Sequence, residues 1–286
     1  MSYNIAVFAY NEEKHIQQSL KTIYDNVDKD LNAVYLLANG CTDKTVELAE
    51  KFKQTHELDS LNIITIKIGD KCNAWNHYVH KISPDANADC HFFVDSDVVF
   101  TEQCFPKLHA LLLNATPTPN IVAGYPLSGR NLPFYQMLVE ERSCFFGNLY
   151  GASEQYLEMV RSKKFSLPVG LNWIDSFLTK AANTDIQFHP YNLPNRVIYQ
   201  KGVGFEFESL SPFKIDDIKL YKNRIARYEL GKIQETFLDA LAVEDWPENM
   251  REINMKIDAD FDNLTSHLGI IKTYLVKKRL QKLLTK

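Results

Sequence analysis

Cysteine is scarce and scattered. Cys41, Cys72, Cys90, Cys104 and Cys144 make an odd set with no CxxC spacing. Neither a disulfide framework nor a zinc site is expected, and a reducing compartment is favoured. No apolar run approaches the roughly 20 residues that span a bilayer. A basic excess is missing too: the net charge is -4, which excludes non-specific nucleic-acid binding. No glycine fingerprint follows the first strand-like run, because Ile5–Ala9 leads into Tyr10-Asn11-Glu12. A nicotinamide dinucleotide needs that close backbone approach, so a dehydrogenase is a poor reading. No basic-then-apolar leader precedes the Asn4–Ala9 run, and no signal peptide is expected.

What is present is an ordinary globular balance. The 286 residues are 45% hydrophobic and 24% charged, enough for one large domain or two modest ones. The first hundred residues alternate strand and helix signals. Ile5–Ala9, Ala33–Leu37, Leu61–Ile68 and His91–Val94 read as strands. Between them, Asn11 can cap a helix carrying Ile16, Leu20 and Ile23. Thr42 or Asp43 can cap a helix running to about Phe52, and another lies near Asn73–His80. This alternation predicts right-handed crossovers and a mainly parallel sheet. Asn114–Pro133 reads as a long loop around a short strand, Ile121–Gly124. Helical signals return over Phe134–Leu149, Ser153–Arg161, Asp216–Ala242 and Thr265–Lys286.

Ligands of such sheets sit beyond the C-terminal strand ends. Asn11, Asn39, Asp43, Asp70 and Asp95 all fall there. Asp95-Ser96-Asp97 closes an apolar run, where a carboxylate must be solvated, paired or bound to a cation. Alternate strand residues point the same way, so Asp95 and Asp97 are expected to share a face, with Ser96 on the other, suited to a divalent ion shared with a phosphorylated substrate. A turn closing the strand is the plain alternative.

In order along the chain stand Ala9-Tyr10-Asn11-Glu12-Glu13, Asn39-Gly40-Cys41-Thr42-Asp43, Lys71-Cys72-Asn73-Ala74-Trp75-Asn76, Asp95-Ser96-Asp97, and Gly151-Ala152 followed by Pro168 to Asp175. Together they resemble the inverting glycosyltransferases of family 2. The resemblance implies an α/β GT-A fold, a Rossmann-like mixed sheet flanked by helices. It places Ala9, Asn11, Glu12, Asn39, Asp43, Lys71, Asp95 and Ser96 around a nucleotide-sugar donor. Asp97 becomes the direct ligand of Mn2+ or Mg2+, with Asp95 on the donor ribose or reaching the metal through water. Asp175 becomes the general base that takes the acceptor proton. Arg224-Ile225-Ala226-Arg227-Tyr228 resembles the Gln-x-x-Arg-Trp motif, with Arg224 for Gln and Tyr228 for Trp. Arg224 and Arg227 are three apart on a helix and can grip a diphosphate. His189 and Gln200 are further candidates near the metal.

The chain departs from the pattern in two places. Ala38 and Asn39 stand where paired acids are common, and Ile174 replaces the first acid of the acceptor-side pair. The expected reading is a metal-dependent transferase moving a sugar, from a UDP-sugar first of all, to a glycan or lipid-linked acceptor in glycoconjugate assembly. A catalytically silent domain that binds a nucleotide or glycan is the alternative. The expected division is a catalytic domain over 1–212, with a donor half at 1–100 and an acceptor half at 101–212, then a helical C-terminal extension over 213–286. In that extension Leu268, Ile271, Leu275 and Leu283 recur at helical spacing. Lys272, Lys277, Lys278, Arg279, Lys282 and Lys286 follow with no acid after Asp262. Such a helix either packs on the core or lies on the inner face of the plasma membrane, the protein being cytoplasmic.

Overall fold

The computed structural model describes residues 1–207 and 213–285. One eight-stranded mixed sheet runs in the order β3-β2-β1-β4-β7-β6-β8-β5. Its parallel half comprises β1 (Tyr3–Ala9), β2 (Leu31–Asn39), β3 (Leu61–Ile66) and β4 (Cys90–Asp95). Every residue of β1 is buried, as expected of a central strand covered on both faces. Alternate side chains feed two cores. Ile5, Val7, Leu36, Phe92 and Val94 point to one. Ala6, Phe8, Leu37 and Phe93 point to the other. On that second face Phe93 stacks on Tyr150 with ring centroids 4.9 Å apart, and Trp75 Nε1 donates to the Tyr150 hydroxyl at 2.9 Å.

The crossover helices are α1 (Ile16–Tyr24), α2 (Thr45–Thr55) and α3 (Lys71–His77), the last continuing into a wider π turn over Tyr78–Ile82. Asn11 does not cap α1, contrary to the sequence expectation. The N-cap is His15 with no side-chain hydrogen bond. Asn11 instead takes a left-handed backbone at φ 56 and accepts the Thr42 N–H at 2.8 Å. Residues 12–15 form an intervening turn, so Asn11 sits too early to reach the helix. Asp43 does brace the start of α2, accepting the Thr45 N–H at 3.0 Å.

The second half is built from β5 (Val98–Phe100), α4 (Cys104–Asn114), β6 (Ile121–Pro126), α5 (Leu132–Arg142), β7 (Leu149–Ser153), α6 (Glu154–Ser162), α7 (Ile174–Asn183) and β8 (Val197–Phe207). The helix expected through Leu149 stops at Arg142, where Ser143 turns left-handed at φ 52. Leu149 is needed in β7, antiparallel to β4. β6 and β8 are parallel, with a register shift between Ala123 and Tyr125. A Cβ on Gly204 would overlap the backbone N and O of Tyr125 at this shift. Backbone atoms cannot swing aside as a side-chain tip can. Gly204→Ala is therefore expected to cost about 1–3 kcal/mol or more. An unchanged urea midpoint would contradict this close packing.

Beyond the sheet lie α8 (Ile215–Leu238), α9 (Arg251–Ala259), α10 (Phe261–Thr265) and α11 (Ile270–Leu284). The expected division at residue 212, and Lys286, lie outside the described residues. The terminal helix divides at Gly269, the N-cap of α11. Val276 and Leu280 of α11 are fully buried in the same core as Leu230, Ile257 and Phe93. Lys272 pairs with Glu229 at 2.6 Å and Lys277 with Asp258 at 2.9 Å. This helix packs on the body and spends part of its basic face in ion pairs. No helix among the described residues is long and apolar enough to cross a membrane.

Candidate active site

The C-terminal ends of β1, β2 and β4 open onto one side of the sheet, where α3, α7 and α8 present their polar residues. β4 ends at Asp95, and Ser96–Asp97 form the turn into β5. The expectation that Asp95 and Asp97 share a strand face is thus corrected: the pleat stops before Asp97. Ser96 is buried and Asp97 is exposed. The acids still act on each other across the turn. Lost solvation raises the Asp97 pKa, and the Asp95 charge raises it further, while Lys71 and Arg224 oppose.

Glu12 joins this acidic group from the loop after β1. Burial lifts its pKa; His15, 3.0 Å away, opposes, while Asp97 and Asp95 add to the rise. Lys71, the first residue of α3, donates to Asp95 Oδ1. A cation at a helix N-terminus opposes the helix dipole, and here the pairing offsets that cost. Burial works against the charged ammonium, yet Asp95 and Asp175 outweigh it and its pKa is raised.

Asp175 sits in the first turn of α7, after the N-cap Trp173. It does not cap that helix, whose N-cap has no side-chain hydrogen bond. Burial raises its pKa most strongly, and Asp95 adds to the rise. Lys71, the Gly147 N–H and Arg227 hold it down. One ammonium thus stands between Asp95 and Asp175. Arg224 and Arg227, on exposed turns of α8, make no ion pair with any described residue. The charge of Arg224 lowers the Asp97 pKa and that of Arg227 lowers the Asp175 pKa.

Other expected residues brace the loops. Asn39 is 5% exposed and its Oδ1 accepts the Asp70 N–H at 3.0 Å. Asp70 caps α3 through the Asn73 N–H and also accepts the Gly170 N–H. Asp43 accepts from Glu13 N–H and from Thr45 twice; desolvation is the largest single effect and raises its pKa, but these bonds together outweigh it and hold the carboxyl below the usual range. Ala9 is buried, and its carbonyl accepts from the Cys41 thiol. His189 stacks on Tyr191 with centroids 4.1 Å apart. Gln200 is exposed on β8. Neither contacts the acids in any hydrogen bond or ion pair.

One residue escaped the sequence reading. A Cβ on Gly147 would lie 2.7 Å from Lys71 Nζ and 2.9 Å from Asp175 Oδ1. The isolated glycine of Phe146-Gly147-Asn148 carries no signal of this approach, because its neighbours are far away in the chain.

The donor set suits a hard divalent cation. Glu12, Asp95 and Asp97 offer only oxygen; burial foremost, and the neighbouring carboxylates next, raise the pKa of Glu12 and Asp97. No group of three or more His, Cys, Asp or Glu among the described residues is arranged to hold a metal by itself. Mg2+ or Mn2+ bound here would draw its remaining ligands from a substrate diphosphate and water, a habit of such ions.

A mixed α/β sheet flanked by helices, with acids at its strand ends, is the arrangement of the GT-A fold. The chain belongs to glycosyl transferase family 2, whose family model matches residues 4–158. It is thus a glycosyltransferase. No curated protein matches the sequence. Among solved structures, the mannosyltransferase PcManGT from Pyrobaculum calidifontis, in complex with GDP-Man and Mn2+, is similar. It is 18% identical, with a TM-score of 0.62, and the match covers 99% of this chain and 74% of that one. S. aureus TarS 1-349 in complex with UDP-GlcNAc is 14% identical with a TM-score of 0.58, over 99% and 80% of the two chains. M. tuberculosis glucosyl-3-phosphoglycerate synthase is 17% identical with a TM-score of 0.52, over 79% of each chain. At these identities the likeness concerns the fold.

Proposed function

We propose that the protein transfers a sugar with inversion from a nucleotide diphosphate donor, a UDP-sugar first of all, to a glycan or lipid-linked acceptor on the cytoplasmic side. The observation that carries this is one lysine, Lys71, hydrogen-bonded to Asp95 and close enough to Asp175 for the two charges to act on each other. Asp97 would hold the cation, with Asp95 oriented by Lys71 toward the ribose or a water on the metal. The bound cation would act as a Lewis acid, offsetting charge on the departing diphosphate. Arg224 and Arg227 grip the same phosphates.

Asp175 accepts the proton of the acceptor hydroxyl as that oxygen bonds to the anomeric carbon. The carbon–oxygen bond to the diphosphate breaks, and its electron pair leaves with the nucleotide. Because one displacement occurs, the configuration inverts. Ala9, Asn11, Glu12, Asn39, Asp43 and Ser96 shape the donor side as rim and loop braces. Asn39, in place of an acid, leaves GDP and dTDP donors to be compared with UDP.

The test is a melting screen with UDP, GDP and dTDP, each with Mn2+. One nucleotide should raise the midpoint by mass action, and the corresponding sugar nucleotide should be turned over. No turnover from any donor despite tight nucleotide binding would establish the silent-domain alternative.

Membrane contact, where it occurs, falls to residues that packing leaves free. Ile270, Ile271 and Tyr274 are 90%, 74% and 64% exposed at the start of α11. Lys278 and Lys282 of that helix have no ion pair among the described residues. Changing Ile270 and Ile271 to Asp should reduce cosedimentation with anionic phosphatidylserine vesicles. A wild-type protein that stays in the supernatant would remove this contact.

A further inference from the structure

We propose that Gly147 is a positioning residue for the transfer reaction, its missing side chain leaving the space that Lys71 Nζ and Asp175 Oδ1 both border. The inference rests on Asp175 being the base.

The backbone of Gly147 does not lie in the left-handed region, so the glycine is not needed for its φ. What it supplies is room. The nearest atoms to an added Cβ are Lys71 Nζ at 2.7 Å, Asp175 Oδ1 at 2.9 Å and Asp175 Cγ at 3.7 Å. No other atom of the protein lies among the three nearest. The residue is buried, so it cannot turn its Cα outward to solvent. Its own N–H is directed to the Asp175 carboxylate and favours the charged form.

The chain around it is firmly held. Phe146 packs edge-on to Tyr135 of α5 with centroids 5.6 Å apart, and Leu149 enters β7 directly after. Asp95 N–H is directed to the Asn148 carbonyl. The same short segment therefore touches the strand that ends in the metal-side acid and the base. Lys71 is drawn to one side by Asp95, and the Gly147 Cα forms the wall behind it. A methyl group there would press on both the ammonium and the carboxylate and displace them. The displaced atoms are side-chain ends, so the fold should absorb the change and the reaction should not. A near-attack geometry tolerates little error: a shift of about 1 Å costs roughly a hundred-fold in rate.

The experiment compares wild type, Gly147→Ala, Asp175→Asn and the double variant, using the donor chosen by the nucleotide screen. Gly147→Ala should melt close to wild type and keep both its donor KM and its Mn2+–nucleotide melting shift. Its kcat should fall roughly a hundred-fold. In the Asp175→Asn background the same change should cause no further loss, because its effect passes through the base. A kcat within a factor of about two of wild type overturns the proposal, since no misplacement on this scale would then exist. A raised donor KM, or an equal kcat loss in both backgrounds, also overturns it in favour of a general structural role. If Asp175→Asn itself turns over normally, the base assignment fails and takes this inference with it. An inactive Asp175→Asn beside a normal Gly147→Ala sinks the inference alone.

Discussion

Asp175→Asn is expected to lose transfer by roughly a hundred- to ten-thousand-fold in kcat, the usual contribution of a general base. The substitution keeps the shape and removes the capacity to accept a proton. Donor binding should survive, since Asp175 lies on α7 and the donor-side acids lie on β4 and its turn. The reaction also has a pH signature. Burial raises the Asp175 pKa above the ordinary carboxylate value, with Lys71, the Gly147 N–H and Arg227 limiting the rise and Asp95 adding to it. Below that raised pKa the base is protonated and transfer fails; above it the carboxylate is free to act. The acid limb of the kcat profile should therefore sit above the usual carboxylate range and should be absent from residual turnover in the Asn variant. Near-normal turnover by that variant would remove Asp175 from the role.

The second large effect is expected at the metal side. Asp97→Ala should abolish the Mn2+-dependent part of the nucleotide melting shift and the metal-dependent turnover. Asp97 makes no ion pair with a described residue, whereas Asp95 is held by Lys71. Its pKa is raised, by lost solvation first and by the Asp95 charge second. A stabilisation of RT ln(1 + [L]/Kd) corresponds to about 2.7 kcal/mol at a hundred-fold excess over Kd, so the loss is readily measured. A melting shift in Asp97→Ala equal to that of wild type would contradict the metal role. Removal of metal by EDTA should give the same loss in the wild-type protein.

The parallel half of the sheet was legible because its strands are covered on both faces. Val34, Leu36 and Leu37 of β2, like the whole of β1, are fully buried, and such strands write themselves as apolar runs. β8 was not legible. Its middle, Gln200 to Gly202, is exposed, and the bulge near Gly204 interrupts its register. The helical reading through Leu149 failed for a related reason: short apolar runs suit either periodicity, and pairing with β4 decided for a strand. At the site, acids at strand ends were visible as residues that are costly to place there. Their pairing through Lys71 was not, because Lys71, Asp95, Gly147 and Asp175 meet only after the chain has folded. Asn11 shows the limit of capping signals, since a side chain that can cap one helix can equally tie two loops.

Asn172, close before Asp175, is gripped from two later parts of the chain. Its N–H and side-chain amide both meet Gln234 Oε1, and Arg279 Nε donates to its Oδ1 at 3.0 Å. Synthesis proceeds from the N-terminus, and early segments fold first. The strand-end acids of β4 can therefore be in place while the loop that carries the base still lacks its final support. Final support of the reaction centre therefore waits on α11, which is made long after the strand-end acids. A nascent chain halted before α11 would carry a donor cradle without a settled proton acceptor.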